Sequence, residues 1–186
     1  DLHLDSAEEA FVWDFGKLEM ENIARGLRPR ELNVARMTYG VISREYLVPP
    51  PREAEAGDAP VFRREDAIVL RPYGFVLWQT REVVGTPVDE PELICFINGK
   101  STRSRTGLIV HLSAPTVHAG WSGNLTLEMT NFGPLDLVLN ANDAIAQLTV
   151  ARITGPPECD VRIYEKTTFG QTGVSGPETD RNPSGE

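Results

Sequence analysis

The chain has 186 residues, with 18 Lys and Arg against 27 Asp and Glu and a formal net charge of −9. That length fits one domain with a substantial core, and the acidic balance argues against nucleic-acid binding, which uses a basic face, while a small anionic ligand needs only a local cluster of cations. No apolar run approaches membrane-spanning length, no signal peptide is visible, and Cys95 and Cys159 lie far apart outside any C-x-x-C pair, so the expectation is a cytoplasmic protein in which a disulfide stays open.

The first residue is Asp1 rather than Met, which reads as a trimmed or partial product. Helix is scarce: residues 15–25 and 29–35 are the two candidates, both short. Pro49-Pro50-Pro51 followed by Arg52-Glu53-Ala54-Glu55-Ala56-Gly57-Asp58 predicts a polar surface loop. From there glycine and proline punctuate short runs rich in Val, Ile, Leu, Phe and Thr, at residues 67–70, 74–79, 93–97, 107–112, 124–129, 135–139 and 144–150. Such runs predict strands, and many of them at close spacing predict a mostly β sandwich or barrel rather than a βαβ fold. From Thr154 onward the chain turns polar, and beyond Ser175 it holds too little apolar surface to order itself. The expected organisation is a core over residues 1–153 and a flexible arm over 154–186.

Two segments carry chemistry. Asn98-Gly99-Lys100-Ser101-Thr102-Arg103-Ser104-Arg105 gathers a glycine, hydroxyls and three cations in one short turn, which suits a polyanion; a polar turn with solvated charges is the alternative. Some twenty residues later, Glu128 sits in the alternating strand Leu125-Thr126-Leu127-Glu128-Met129. A carboxylate there is costly to bury without a partner or a role, and on an exposed sheet face it is a solvated side chain. Zinc deaminases use H-x-E with P-C-x-x-C; neither occurs, and three scattered histidines with two distant cysteines do not make a zinc site.

These segments, with their spacing, resemble the dCTP deaminase branch of the dUTPase-like superfamily. The family's phosphate and catalytic segment is matched by Gly99-Lys100-Ser101-Thr102-Arg103-Ser104-Arg105-Thr106-Gly107-Leu108. Its next motifs are matched by Val110-His111-Leu112-Ser113-Ala114, by His118-Ala119-Gly120-Trp121-Ser122-Gly123 and by Leu127-Glu128-Met129-Thr130-Asn131, with Gly133-Pro134-Leu135 and Ile145-Ala146-Gln147-Leu148 following. The match covers residues 68–153, and agreement over that length is far more specific than one short motif. Asp1-Leu2-His3-Leu4 resembles the family's D-L-R-L strand, which places the start of this chain inside the fold.

The resemblance implies a distorted β-barrel or jelly-roll with short peripheral helices, assembled as a homotrimer with its sites between subunits. It implies a hydrolase of cyclic amidine C–N bonds: dCTP and water give dUTP and ammonia without zinc, with Glu128 as general acid–base and Ser101 and Arg105 beside it. Lys100, Thr102, Ser104, Ala114, His118, Thr126 and Leu127 become nucleotide-binding, Ala114 through neighbouring backbone carbonyls. Tyr164, Lys166, Phe169 and Gln171 belong to a C-terminal segment that closes over nucleotide, where Phe169-Gly170-Gln171-Thr172-Gly173 resembles the dUTPase lid, although the family's K-Y-x-x-Q spacing is not reproduced. No protein-bound cofactor is implied; Mg²⁺ arrives with the triphosphate, and dTTP is a candidate inhibitor. His118 departs from the family's Asp, which meets the sugar and in dUTPases supports attack on phosphate. A dUTP diphosphatase, a bifunctional enzyme and a catalytically silent nucleotide-binding relative remain alternatives.

Overall fold

The computed structural model describes residues 1–32, 45–87, 92–112 and 114–154, together with the backbone of 164–166 and 172–174. Within them the chain is mostly β. The strands are β1 (Leu2–His3), β2 (Ala10–Trp13), β3 (Leu47–Val48), β4 (Val61–Arg64), β5 (Ala67–Leu70), β6 (Phe75–Gly85) and β7 (Leu93–Gly99). They continue with β8 (Leu108–Ile109), β9 (Thr116–Val117), β10 (Ser122–Asn131), β11 (Leu137–Asn140), β12 (Ala144–Arg152), β13 (Tyr164–Lys166) and β14 (Thr172–Val174).

The described ladders form a four-stranded sheet in the order β1-β12-β7-β9, a five-stranded sheet β3-β2-β6-β10-β8, a three-stranded sheet β11-β5-β4 and the hairpin β13-β14. Every strand pairing among them is antiparallel. The first three sheets wrap one core, to which β1, β5, β6, β7, β10 and β12 each contribute residues such as Leu2, Ile68, Trp78, Ile97, Leu127 and Ile145. The result is a distorted barrel of the jelly-roll kind. Trp78 is fully buried and its indole N–H donates to the carbonyl of Ser6 at 3.0 Å, so its polar atom is satisfied at no loss of packing.

Period-two alternation sets the faces of the central sheet. On β10, Leu125, Leu127 and Met129 enter the core, opposite Trp78 and Val76 of β6. Thr126, Glu128 and Thr130 point the other way, across from Gln79, Leu77 and Phe75. The β6–β10 register slips between Asn124 and Thr126, where β6 carries the surplus residues. Asn124 stabilises this bulge by donating to the carbonyl of Thr80 at 2.9 Å, and the Thr80 hydroxyl accepts from Leu125 N–H at 3.0 Å. The bulge also presents Glu82 to strand β1: it accepts from His3 N–H at 2.8 Å and lies 2.7 Å from His3 Nδ1. Burial opposes ionisation of Glu82, but these contacts outweigh it and hold the carboxyl below the usual range.

Helix α1 (Phe15–Ala24) starts at Asp14, whose carboxylate accepts from Lys17 N–H at 2.9 Å. It agrees with the expected helix over 15–25. The second expected helix does not: Pro29 and Arg30 form a turn, the carbonyls of Pro29 and Glu31 accept from the buried Asn22 side chain, and residues 33–35 lie outside the described set. The proline-rich segment, expected as a loop, carries a 3-10 turn at Glu53–Glu55 and packs. Ala56, Phe62 and Val69 make a second small core, with Arg71 stacked 4.9 Å over the Phe62 ring. The strand expected over 107–112 is confined to Leu108–Ile109, because the chain leaves the ladder at Val110. No described helix is long and apolar enough to cross a membrane.

Candidate functional site

The cation-rich segment folds as one helical turn, Ser101–Ser104, between Lys100 and Arg105. Lys100 accepts through its carbonyl from Ser104 N–H at 3.0 Å, and Ser101 does so from Arg105 N–H at 3.2 Å. Ser101, Thr102, Ser104 and Arg105 are all exposed. Lys100 pairs with Asp1 at 2.8 Å and Arg103 approaches Asp143 at 3.9 Å, whereas Arg105 makes no ion pair among the described residues. The turn thus presents one unneutralised guanidinium beside a row of hydroxyls.

Gly107 and Gly133 fix where this turn sits. Gly107 has φ +96°, and a Cβ added there would stand 2.2 Å from Gly133 N; one added to Gly133 would stand 2.2 Å from the Thr106 carbonyl oxygen. Only two glycines allow this approach, and Phe132 N–H donates to the Gly107 carbonyl at 2.8 Å across it. The partner segment is held by Asn131, which is 0% exposed. Its amide donates to the carbonyls of Leu70 at 2.9 Å and Leu135 at 2.8 Å and accepts from Gly133 N–H at 2.8 Å. Asn131 was legible as part of a motif, yet its work as a clamp between β10, β5 and the glycine crossing was not.

Glu128 stands on the outward face of β10 with its side chain one-third exposed, at 33%. It is neither free in solvent nor enclosed. Leu112 N–H donates to Oε2 at 3.4 Å, and His111 Nδ1 lies 3.8 Å from the same oxygen. His111 itself is nearly buried and lines a cavity of about 430 Å³ bounded by Gly99, Ser104, Gly107, Leu112 and Phe132. One chain therefore brings Ser104 and the neighbourhood of Glu128 to the walls of a single cavity. No hydrogen bond or ion pair among the described residues joins Ser101 or Arg105 to Glu128.

The remaining expected positions are dispersed. Ala114 is exposed, next to Pro115, whose carbonyl accepts from Ile97 N–H at 2.8 Å. His118 is exposed, and its carbonyl is gripped by Thr86, whose hydroxyl donates at 3.2 Å and accepts from Gly120 N–H at 2.7 Å. Thr86, buried at the end of β6, was missed because a lone threonine carries no sequence signal. Thr126 shares the face of Glu128 and is largely buried. Leu127 points into the core, so only its backbone can meet a ligand. Tyr164 and Lys166 lie on the β13–β14 hairpin, while Phe169 and Gln171 fall outside the described residues, as does Cys159. Cys95 is free and buried, and burial pushes its thiol up, away from nucleophilic duty. Among the described residues no three His, Cys, Asp or Glu side chains gather as metal ligands.

The fold is thus mostly β, with a cationic helical turn and an outward strand carboxylate near the same cavity. The family model described as dCTP deaminase-like matches residues 38–153, and the chain belongs to that family. A "dCTP deaminase" of Pelagibacter ubique is 32% identical over 127 residues, covering 68% of this chain and 66% of that protein. A "dCTP deaminase, dUMP-forming" of Streptomyces coelicolor is 35% identical over 120 residues, 63% of this chain and 60% of the relative. The chain thus spans about two thirds or less of the length of these relatives. A solved 2'-deoxycytidine 5'-triphosphate deaminase from Agrobacterium tumefaciens aligns with 67% of this chain and 32% of its own, at TM-score 0.49 and 17% identity.

Proposed function

We propose that the protein catalyses hydrolytic deamination of dCTP to dUTP and ammonia, with Glu128 as general acid–base and no zinc. The supporting observation is the placement of Glu128: a half-sheltered strand carboxylate held by Leu112 N–H beside the His111 cavity, to whose lining the cationic turn contributes Ser104. Glu128 takes a proton from water as the oxygen bonds to C4 of the cytosine. The proton passes to ring N3; Glu128 then carries the proton of the new C4 hydroxyl to the amino group as the C4–N bond breaks, leaving a C4 carbonyl and ammonia. Ser101 orients the water and Arg105 anchors the anionic partners, with Lys100, Thr102 and Ser104 around the phosphates. Mg²⁺ enters bound to the triphosphate oxygens.

Arg105 makes no ion pair among the described residues, which supports a site completed by a neighbouring subunit in a homotrimer. Tyr164, Lys166, Phe169 and Gln171 then act as the closing arm of a two-part chain, residues 1–153 and 154–186, in the cytoplasm. The Streptomyces relative, whose name specifies dUMP as product, favours a second reading in which diphosphate is released as well. His118 stands against it, since imidazole replaces the carboxylate that would support attack on phosphate. A nucleotide panel of dCTP, dCMP and dUTP, scored separately for ammonia and diphosphate, tests both. Ammonia alone from dCTP is the expected outcome. Diphosphate release from dUTP would favour the second reading, and binding without either product would leave a silent nucleotide-binding relative.

A further inference from the structure

We propose that His111 is a positioning residue for Glu128, its Nδ1–H holding the carboxylate for proton transfer; this rests on the deaminase reading. The ring is 9% exposed, and neither Nδ1 nor Nε2 has a hydrogen-bond partner among the described residues. An imidazole always carries at least one N–H donor, and a buried donor without an acceptor is a cost that folded proteins rarely tolerate. A leucine or phenylalanine would fill the same space between Val110, Leu112 and the cavity without it.

Glu128 Oε2, 3.8 Å from Nδ1, is the acceptor within reach. That separation is within ion-pair range and too long for a hydrogen bond; a side-chain torsion that moves Oε2 by about 1 Å closes it. Contacts of this kind are commonly long in the free enzyme and tighten with substrate. Leu112 N–H already restrains the same oxygen at the outer limit, 3.4 Å. Two donors from consecutive residues, one backbone and one side chain, would then fix the carboxylate beside the cavity. The His111 position follows from the same local feature: after Ile109 the chain leaves the β8 ladder, and the two donors are freed to face β10.

Two variants separate positioning from packing. In His111→Asn the side-chain amide nitrogen stands near the place of Nδ1; His111→Leu preserves volume and removes the donor. His111→Leu is expected to lower kcat for ammonia release roughly 10- to 100-fold with KM little changed, as for a misplaced catalytic group, and His111→Asn to recover most of that loss. A Leu variant at wild-type kcat, or one more active than the Asn variant, overturns the proposal. Imidazole ¹⁵N spectra decide the contact without turnover. The expected result is His111 fixed as the Nδ1–H tautomer in the wild type and released to a mixture in Glu128→Ala; a tautomer mixture indifferent to that substitution also overturns it. A wild-type protein that releases no ammonia from any cytosine nucleotide defeats the functional reading instead, and the spectra still decide the contact.

Discussion

Asn131→Asp is nearly isosteric and should be among the most damaging single-atom changes in the chain. The amide nitrogen it replaces donates to two carbonyl oxygens, at 2.9 and 2.8 Å, in a site with no solvent exposure. A carboxylate there faces two acceptors with nothing to donate, so the aspartyl group stays protonated to fold. Holding it neutral near pH 7, against an ordinary pKa of about 3.9, costs about 4 kcal/mol. Its hydroxyl then serves only one carbonyl, and losing the other hydrogen bond adds about 1 kcal/mol. The expected destabilisation is therefore up to about 5 kcal/mol. Its sign with pH follows from the folded-state pKa lying above the unfolded one: the unfolded chain holds fewer protons, so the variant loses stability as pH rises and regains it as pH falls. Lowering the pH from about 7 to about 5 should return about 2.7 kcal/mol. Urea unfolding of both proteins at the two pH values measures this. A variant as stable as the wild type near neutrality, or a deficit that does not shrink in acid, would refute the clamp.

Three other outcomes follow from the same geometry. Gly107→Ala places a Cβ 2.2 Å from Gly133 N at φ +96°; strain alone costs about 1–3 kcal/mol, and chemical denaturation should show at least that loss, with nucleotide binding weakened because the cationic turn moves. Arg105→Gln should weaken triphosphate affinity roughly 10- to 100-fold, the worth of one or two charge-assisted hydrogen bonds, by calorimetry, while leaving the unfolding midpoint unchanged, since Arg105 makes no ion pair within the described fold. Glu82→Gln should cost on the order of 1 kcal/mol near neutrality. Because the Glu82 carboxyl is held low, that difference is present above the ordinary carboxylate range and disappears as pH falls through the lowered value; a pH-independent difference would contradict the His3 contacts.

Short apolar runs bounded by turn residues were legible as strands. Residues 67–70 are a strand with the expected ends, all four buried, and 93–97 and 144–150 differ only by extension at their edges. The helix at 15–25 was legible too, and the structure adds the Asp14 cap that starts it. What escaped depends on distant partners. β2 and β4 are four residues each and exist because β6 and β5 lie beside them. The turn at residues 29–30 is set by the buried Asn22 amide, eight residues or so away, rather than by local propensity. At the site, Glu128 and the cationic turn stood out in the sequence, but the roles expected of them came from the family resemblance. The Gly107–Gly133 crossing, the Asn131 clamp, the Thr86 grip on His118 and the contact of His111 with Glu128 were not, since each is a pairing across 16 or more residues or across two strands that one-dimensional patterning does not encode. The face of Glu128 was the decisive open point: alternation put it opposite the core, and only Leu112 and His111 distinguish it from an ordinary solvated glutamate.

The role of Glu128 is tested most directly by Glu128→Gln, which keeps the shape and removes the proton carrier. With dCTP as substrate, ammonia release should fall by about 10²- to 10⁴-fold while dCTP binding stays within a few-fold of the wild type. Equal rates of ammonia release from the two proteins would contradict the account.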